Sequence, residues 1–203
     1  MTALFRTLAL SALSLVLIGS QAIAQPAQNR RIRGTIESLD NNVLMVKARD
    51  GTDVKINLTD NWAVTAYTKA AISDIKVGTF VGVGGTPQAD GSQKAVQVNI
   101  FPEAARGLGE GFRPWDQAPN GTMTNANVAE AVAGVDGQTL LLKYKDGEKK
   151  IIVPPTASIA RFGPGEKAEV KPGVAVAVSA VTKPDGSLEA SRVGVGRDGL
   201  VPN

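Results

Sequence analysis

Two stretches of strict apolar–polar alternation flank Asp50-Gly51. Leu44, Val46 and Ala48 fall on one face before that pair. Val54, Ile56 and Leu58 fall on one face after it, with Lys55 and Asn57 pointing the other way. Period two with β-branched residues is the pattern of a half-buried strand. Asp-Gly supplies the positive φ that a tight hairpin turn needs. The pattern predicts a hairpin over residues 43–58.

The same pattern returns at residues 140–153. Leu44 matches Leu140, Val46 matches Leu142 and Asp50-Gly51 matches Asp146-Gly147, each 96 positions on. Just past the turn one residue is lost and the offset becomes 95. Val64 then meets Ile159, Val81 and Val83 meet Val176 and Val178, and Asp90-Gly91 meets Asp185-Gly186. A one-residue deletion beside a hairpin turn is a change that a β-bulge absorbs. The chain therefore reads as two copies of one unit, about 32–101 and about 127–197.

Within the first copy the pattern predicts a strand at 33–39, a turn at 40–42, the hairpin, and a short segment at 62–67. One helical turn follows within 70–75. A second hairpin uses 79–83 and 94–101, turned near Asp90-Gly91. Five or six strands with one small helical piece suit a closed barrel, which leaves no strand edge exposed. The expected fold class is all-β: two tandem small OB-like β-barrels joined by a Gly/Pro-rich linker, after an N-terminal signal peptide. The expected divisions are a signal peptide at 1–24, a first unit at 25–101, a linker at 102–126, a second unit at 127–197 and a tail at 198–203. Units of about 70 residues sit near the lower size limit for a self-sufficient core, so they are expected to lean on each other or on a second chain.

Residues 1–24 carry one cation, Arg6, an apolar run from Leu8 to Ile18, and the small-x-small site Ala22-Ile23-Ala24. This is the form of a cleaved secretory signal. The apolar run is short for a membrane span, which takes about 20 residues. The expectation is a periplasmic protein with no transmembrane segment in the mature chain.

Composition narrows the chemistry. Cysteine and histidine are both absent. Disulfides, thiol catalysis and zinc–thiolate sites are thereby excluded, as are imidazole bases and imidazole metal ligands. A net charge of +3, with both signs spread along the chain, argues against a dedicated nucleic-acid binder. Arg30, Arg31 and Arg33 form a small basic cluster, read as the solvated start of a strand.

The repeat and the stretches GEGFRPWDQAPNGTMTNANV, YKDGEKKIIVPP and VGRDGLVP resemble an exported proteobacterial family of unknown function. Each unit is also similar to a widespread bacterial OB-like domain of unknown function, through its LxV–DG–xVxV hairpin. Some relatives carry the name of metal-transporter permeases, which this sequence contradicts because nothing after residue 24 is long enough to span a bilayer. The resemblance implies a fold and brings no catalytic residues and no cofactor.

Six Asp-Gly pairs invite a calcium reading, but no loop shows the D-x-D-x-D-G-x₅-E order of ligands, and turn chemistry explains residue type and position together. The glycine runs at 82–85 and 107–111 lack the following helix that a phosphate loop needs, so close strand approach and loop flexibility are expected there. Trp62, Tyr67 and Phe162 read as core. Arg113, Trp115 and Asp116, in the linker, are the candidate site: a ligand platform, or a Trp wedge between the units with Arg113 and Asp116 paired at its rim. Lys143, Lys145, Lys149 and Lys150 make the second copy basic, and an acidic envelope polysaccharide is one conceivable partner.

The sequence thus points to a non-enzymatic periplasmic binding or envelope-associated protein, acting on an envelope protein, a polysaccharide or a small ligand. The alternative is a metal-handling accessory protein that holds a hard cation through oxygen ligands. A third reading, an enzyme working through carboxylates alone, needs two acidic side chains to meet in one pocket.

Overall fold

Alternating apolar positions produce strands along almost the whole chain. The computed structural model describes residues 29–134 and 137–202; the expected signal peptide at 1–24 lies outside the described residues. Among the described residues there are twelve strands: β1 (Asn29–Asp40), β2 (Val43–Ala48), β3 (Asp53–Lys69), β4 (Phe80–Pro87), β5 (Gln93–Ile100), β6 (Gly111–Pro114), β7 (Thr122–Gly134), β8 (Gly137–Tyr144), β9 (Gly147–Val153), β10 (Ser158–Gly165), β11 (Ala175–Thr182) and β12 (Leu188–Gly196). Three short 3₁₀ turns, at Ile72–Asp74, Glu103–Ala105 and Lys167–Glu169, complete the elements.

The fold is all-β and closed. One circuit runs β1–β2–β3–β12–β11 and returns to β1. A second runs β7–β8–β9–β5–β4 and returns to β7. Each circuit encloses its own apolar core. The first buries Ile36, Leu44, Val46, Ile56, Val176, Val178 and Val193. The second buries Val81, Val83, Val98, Leu140, Leu142, Ile151 and Val153. Burying residues of this size against water is the main favourable contribution to each barrel.

The strands are distributed in a way the sequence does not announce. Residues 25–101 supply three strands of the first barrel and two of the second; residues 127–197 supply the complementary set. Each barrel is thus completed by strands from the far half of the chain, and the units 25–101 and 127–197 do not coincide with the barrels. β3 stays extended over 17 residues, although its ladder with β12 shifts register between Leu58 and Ala63. The far end of β3 pairs antiparallel with β10 and carries the chain across before it turns at Ile72–Asp74. Ile75, just past that turn, is 2% exposed in the second barrel's core, whereas Val170, just past the Lys167–Glu169 turn, packs in the first.

Other expectations are met more simply. The helical turn expected within 70–75 is the Ile72–Asp74 turn, where an Asp74 carboxylate oxygen accepts the Ala71 backbone N–H at 3.0 Å. Glu169 does the same for Glu166 at 2.7 Å. The Asp-Gly turns at 50, 90 and 185 share one geometry. In each, the Asp carboxylate accepts both the backbone N–H and the hydroxyl of the residue two further on: Thr52, Ser92 and Ser187. The following glycine has φ of 84°, 81° and 82°.

The linker is more ordered than its Gly and Pro content predicts. Gly111–Pro114 is a strand paired with β7, and β7 itself begins at Thr122 rather than at residue 127. Among the described residues no helix is long and apolar enough to cross a membrane.

Candidate functional site

Between the two barrels lies a groove of about 1360 Å³. Its floor follows from the strand exchange. β3 and β10 run side by side there, and β6 with the loop before it forms one wall.

The groove is aromatic. Trp62, Tyr67, Phe101, Trp115 and Phe162 all line it. Phe162 lies 5.6 Å from Tyr67 and 4.6 Å from Phe101, ring centre to ring centre, and Phe101 meets Phe80 edge-on at 5.1 Å. Tilted and edge-on contacts of this kind are the favoured geometries for ring pairs. Tyr67 and Phe162 are half-buried in the groove rather than sealed in a core, which corrects the expectation for both. Trp62 is a core residue at 5% exposure that also lines the groove.

The groove is also cationic. Arg31, Arg106, Arg113, Lys167 and Arg192 line it, and no described lining residue is acidic. Several of these cations are held in place by the protein. Arg106 pairs with Glu103 at 2.6 Å and also meets Asn127 and the Gly78 carbonyl. Arg113 donates to the Gly109 carbonyl at 2.7 Å. Lys167 sits 4.6 Å above the Trp62 ring, a cation–π contact. Although Arg31 as a residue reaches solvent, crowding of its guanidinium and the neighbouring Arg33 cation lower its pKa from the usual range. Burial raises the Tyr67 phenol, against the pull of Arg31 and Arg192.

The three linker residues separate. Arg113 and Trp115 line the groove, whereas Asp116 does not. Asp116 instead accepts from Arg33 at 3.2 and 3.3 Å, beside a smaller surface hollow formed with Arg30, Arg31 and Arg49. The expected rim pair of Arg113 with Asp116 is therefore replaced by two separate anchors. Trp115 lines the groove and packs against β4. It is half-buried, and its ring lies flat over Gly84, where an added Cβ would stand 2.6 Å from a ring carbon. Gly82 is equally confined, by Asn125 and Phe101. The glycines at 82–85 thus serve close approach within a strand, as the sequence suggested.

Sequence reasoning missed Asn125. It is 5% exposed and lines the groove. Its Nδ2 donates to the Leu108 carbonyl at 3.0 Å, while its Oδ1 is buried without a hydrogen-bond partner among the described residues. A buried acceptor left unpaired is costly, and a ligand donor would relieve it. Only the pairing of β4 with β7 brings Asn125 beside Gly82, so no local sequence signal marks it. Among the described residues no three acidic side chains come together in a way that could hold a metal ion.

Residues 33–99 match the family model described as a domain of unknown function, DUF5666. That span runs from within β1 to the end of β5, so it contributes strands to both barrels. No curated protein matches the chain, and no solved structure does.

Proposed function

We propose that this chain is an exported, non-enzymatic binding module whose ligand is an acidic saccharide. The barrels are read as a tandem pair of OB-like units, acting in the periplasm once the leader at 1–24 is removed. What supports the reading best is the inter-barrel groove, where aromatic faces, guanidinium groups and an amide oxygen without a partner among the described residues converge and no described lining residue is acidic. Aromatic rings stack on the apolar faces of sugar rings. Arginine forks match carboxylates. The Asn125 Oδ1 needs a donor, which a sugar hydroxyl supplies and a fully ionised phosphomonoester group does not. Five-stranded barrels of this type bind oligosaccharides on their faces.

Calorimetric titration of the purified chain with acidic and neutral oligosaccharides of equal length tests the proposal. Acidic chains should bind, and more weakly as salt rises from about 0.05 to about 0.5 M, because exposed charge attraction is screened. Equal binding of neutral chains, or no binding of either, would overturn it.

A further inference from the structure

Trp62 marks a second site through what stands in its place in the other barrel. In the first barrel Asn42 lies opposite Leu58, its carbonyl accepting the Leu58 N–H at 2.7 Å. Trp62 follows four residues later and donates its indole N–H to Asn42 Oδ1 at 3.0 Å. Lys167, the first residue of a 3₁₀ turn, covers the ring. Two positions past Trp62, Val64 pairs with Val193.

The second barrel repeats the spacing and the strand pairings of these positions, although Ala157 lies in the turn before β10 rather than within a strand. Gln138 lies opposite Val153. Ala157 follows four residues later, and two positions on Ile159 pairs with Val98. Ile72, the first residue of the other 3₁₀ turn, takes the place of Lys167. Where the first barrel holds the indole, the second therefore has Ala157 and an open pocket of about 590 Å³, lined by Ile72, Gln138, Pro154, Ala157 and Ile159. Among the described residues, Gln138 Oε1 is buried and has no hydrogen-bond partner. It is the counterpart of the very atom that accepts the Trp62 N–H.

We propose that this pocket binds a planar aromatic ring bearing one N–H donor, seated as Trp62 is seated in the first barrel. The ring is of the indole type. Ile72, Pro154 and Ile159 supply its apolar walls, and Gln138 Oε1 accepts its N–H. The volume falls within the ordinary range for small-ligand sites. With Ile72 in place of Lys167 the pocket has no cation over the ring, so it selects a neutral aromatic. The pocket's lining shares no residue with the inter-barrel groove, so the two proposals stand or fall separately. The ring can arrive as a free heterocycle or as a tryptophan side chain of another protein.

The test is an NMR titration of the full chain, following the methyl groups of Ile72, Ala157 and Ile159. Indole should shift these signals, and 1-methylindole, which lacks the donor, should bind at least about tenfold more weakly, a difference of about 1.4 kcal/mol. Gln138→Leu should abolish that difference while leaving binding of the bare ring. Ala157→Trp should fill the pocket, eliminate indole binding and leave saccharide binding in the groove unchanged. If that variant does not fold, the comparison of indole with 1-methylindole on the unaltered chain still decides. Binding of N-acetyltryptophanamide at the same methyls would support a side-chain source, and binding of indole alone a free heterocycle. No shift at these methyls, or equal affinity for the two rings, would overturn the proposal.

Discussion

Tyr67 and Phe162 face each other across the β3–β10 ladder, and each occupies the other's position under an offset of 95. The ladder pairs Ala160 with Lys69 and Gly165 with Val64, so its register is symmetric about the Tyr67–Phe162 pair. The flanking ladders obey the same relation. Val98 pairs with Ile159 in β5–β10, and Val193 pairs with Val64 in β12–β3. A local twofold relation therefore passes between the two rings, at the floor of the groove. Replacing Phe162 with Ala should weaken this seam by about 1–3 kcal/mol, below the cost at a fully enclosed site because the ring is half-buried. Urea unfolding measures it, and a loss below about 0.5 kcal/mol would contradict a structural role.

Gly84 gives a way to move Trp115 without touching it. An added Cβ would meet the indole at 2.6–2.8 Å, closer than atoms approach. Gly84→Ala should lift the ring from β4 and shift its fluorescence. Saccharide affinity should fall by about tenfold, equivalent to about 1.4 kcal/mol. Unchanged affinity would show that the seat of Trp115 does not matter for binding.

The second barrel contains a buried polar clasp built on Gln93, where the first barrel has the buried Leu188. Gln93 is 1% exposed. It donates to the Val83 and Thr122 carbonyls at 3.1 and 2.7 Å and accepts the Thr124 hydroxyl at 2.8 Å. Gln93→Leu would leave these partners unpaired in the core, and the expected loss is about 2–4 kcal/mol, since each orphaned buried group costs about 1–3 kcal/mol. Thermal melting of the variant checks it.

Acid should destabilise the protein in one pH range. Asp50, Asp90 and Asp185 are held below the usual carboxylate range by their hydroxyl and backbone donors. Glu169 is held low by Arg197, at 2.5 Å, and by the Glu166 N–H. A carboxylate with a depressed folded-state pKa contributes stability above its unfolded-state pKa, and that contribution is lost as pH falls through the folded value. Stability should be level from about pH 8 to about pH 5 and decline below about pH 4.5. Glu169→Gln should flatten part of the decline. With no histidine in the chain, a step near neutral pH would contradict this account.

Much of the fold was legible because local rules and packing agree. Alternation at Leu44, Val46, Val54 and Ile56 gave the first hairpin, and Asp-Gly gave its turn. The exchange of strands was not legible. Two copies with one hydrophobic pattern offer each terminal hairpin two equivalent barrels, and alternation does not distinguish its own from the other. Nothing in the local pattern marks the crossing, since β3 is continuous over 53–69 whereas the matching stretch of the second half breaks between Val153 and Ser158, and both halves cross. The groove was half legible. Trp115 and Arg113 stood out as an aromatic and a cation outside any strand pattern. Asn125, Tyr67 and Phe162 face the groove only because of pairings between residues far apart in sequence. The partner of Asp116 proved to be Arg33, 83 positions away, a contact that no spacing rule anticipates.

The exchanged assembly is the central structural claim, and paired cysteines test it directly in a chain that has none of its own. Asn29 faces Val181 in the β1–β11 ladder. In a barrel built from one copy alone, Asn29 would face Thr86, the residue 95 positions before Val181. Asn29→Cys with Val181→Cys should form a rapid intramolecular link with a short thiol cross-linker, and Asn29→Cys with Thr86→Cys should not. Efficient linking of residues 29 and 86, with none between 29 and 181, would contradict the account.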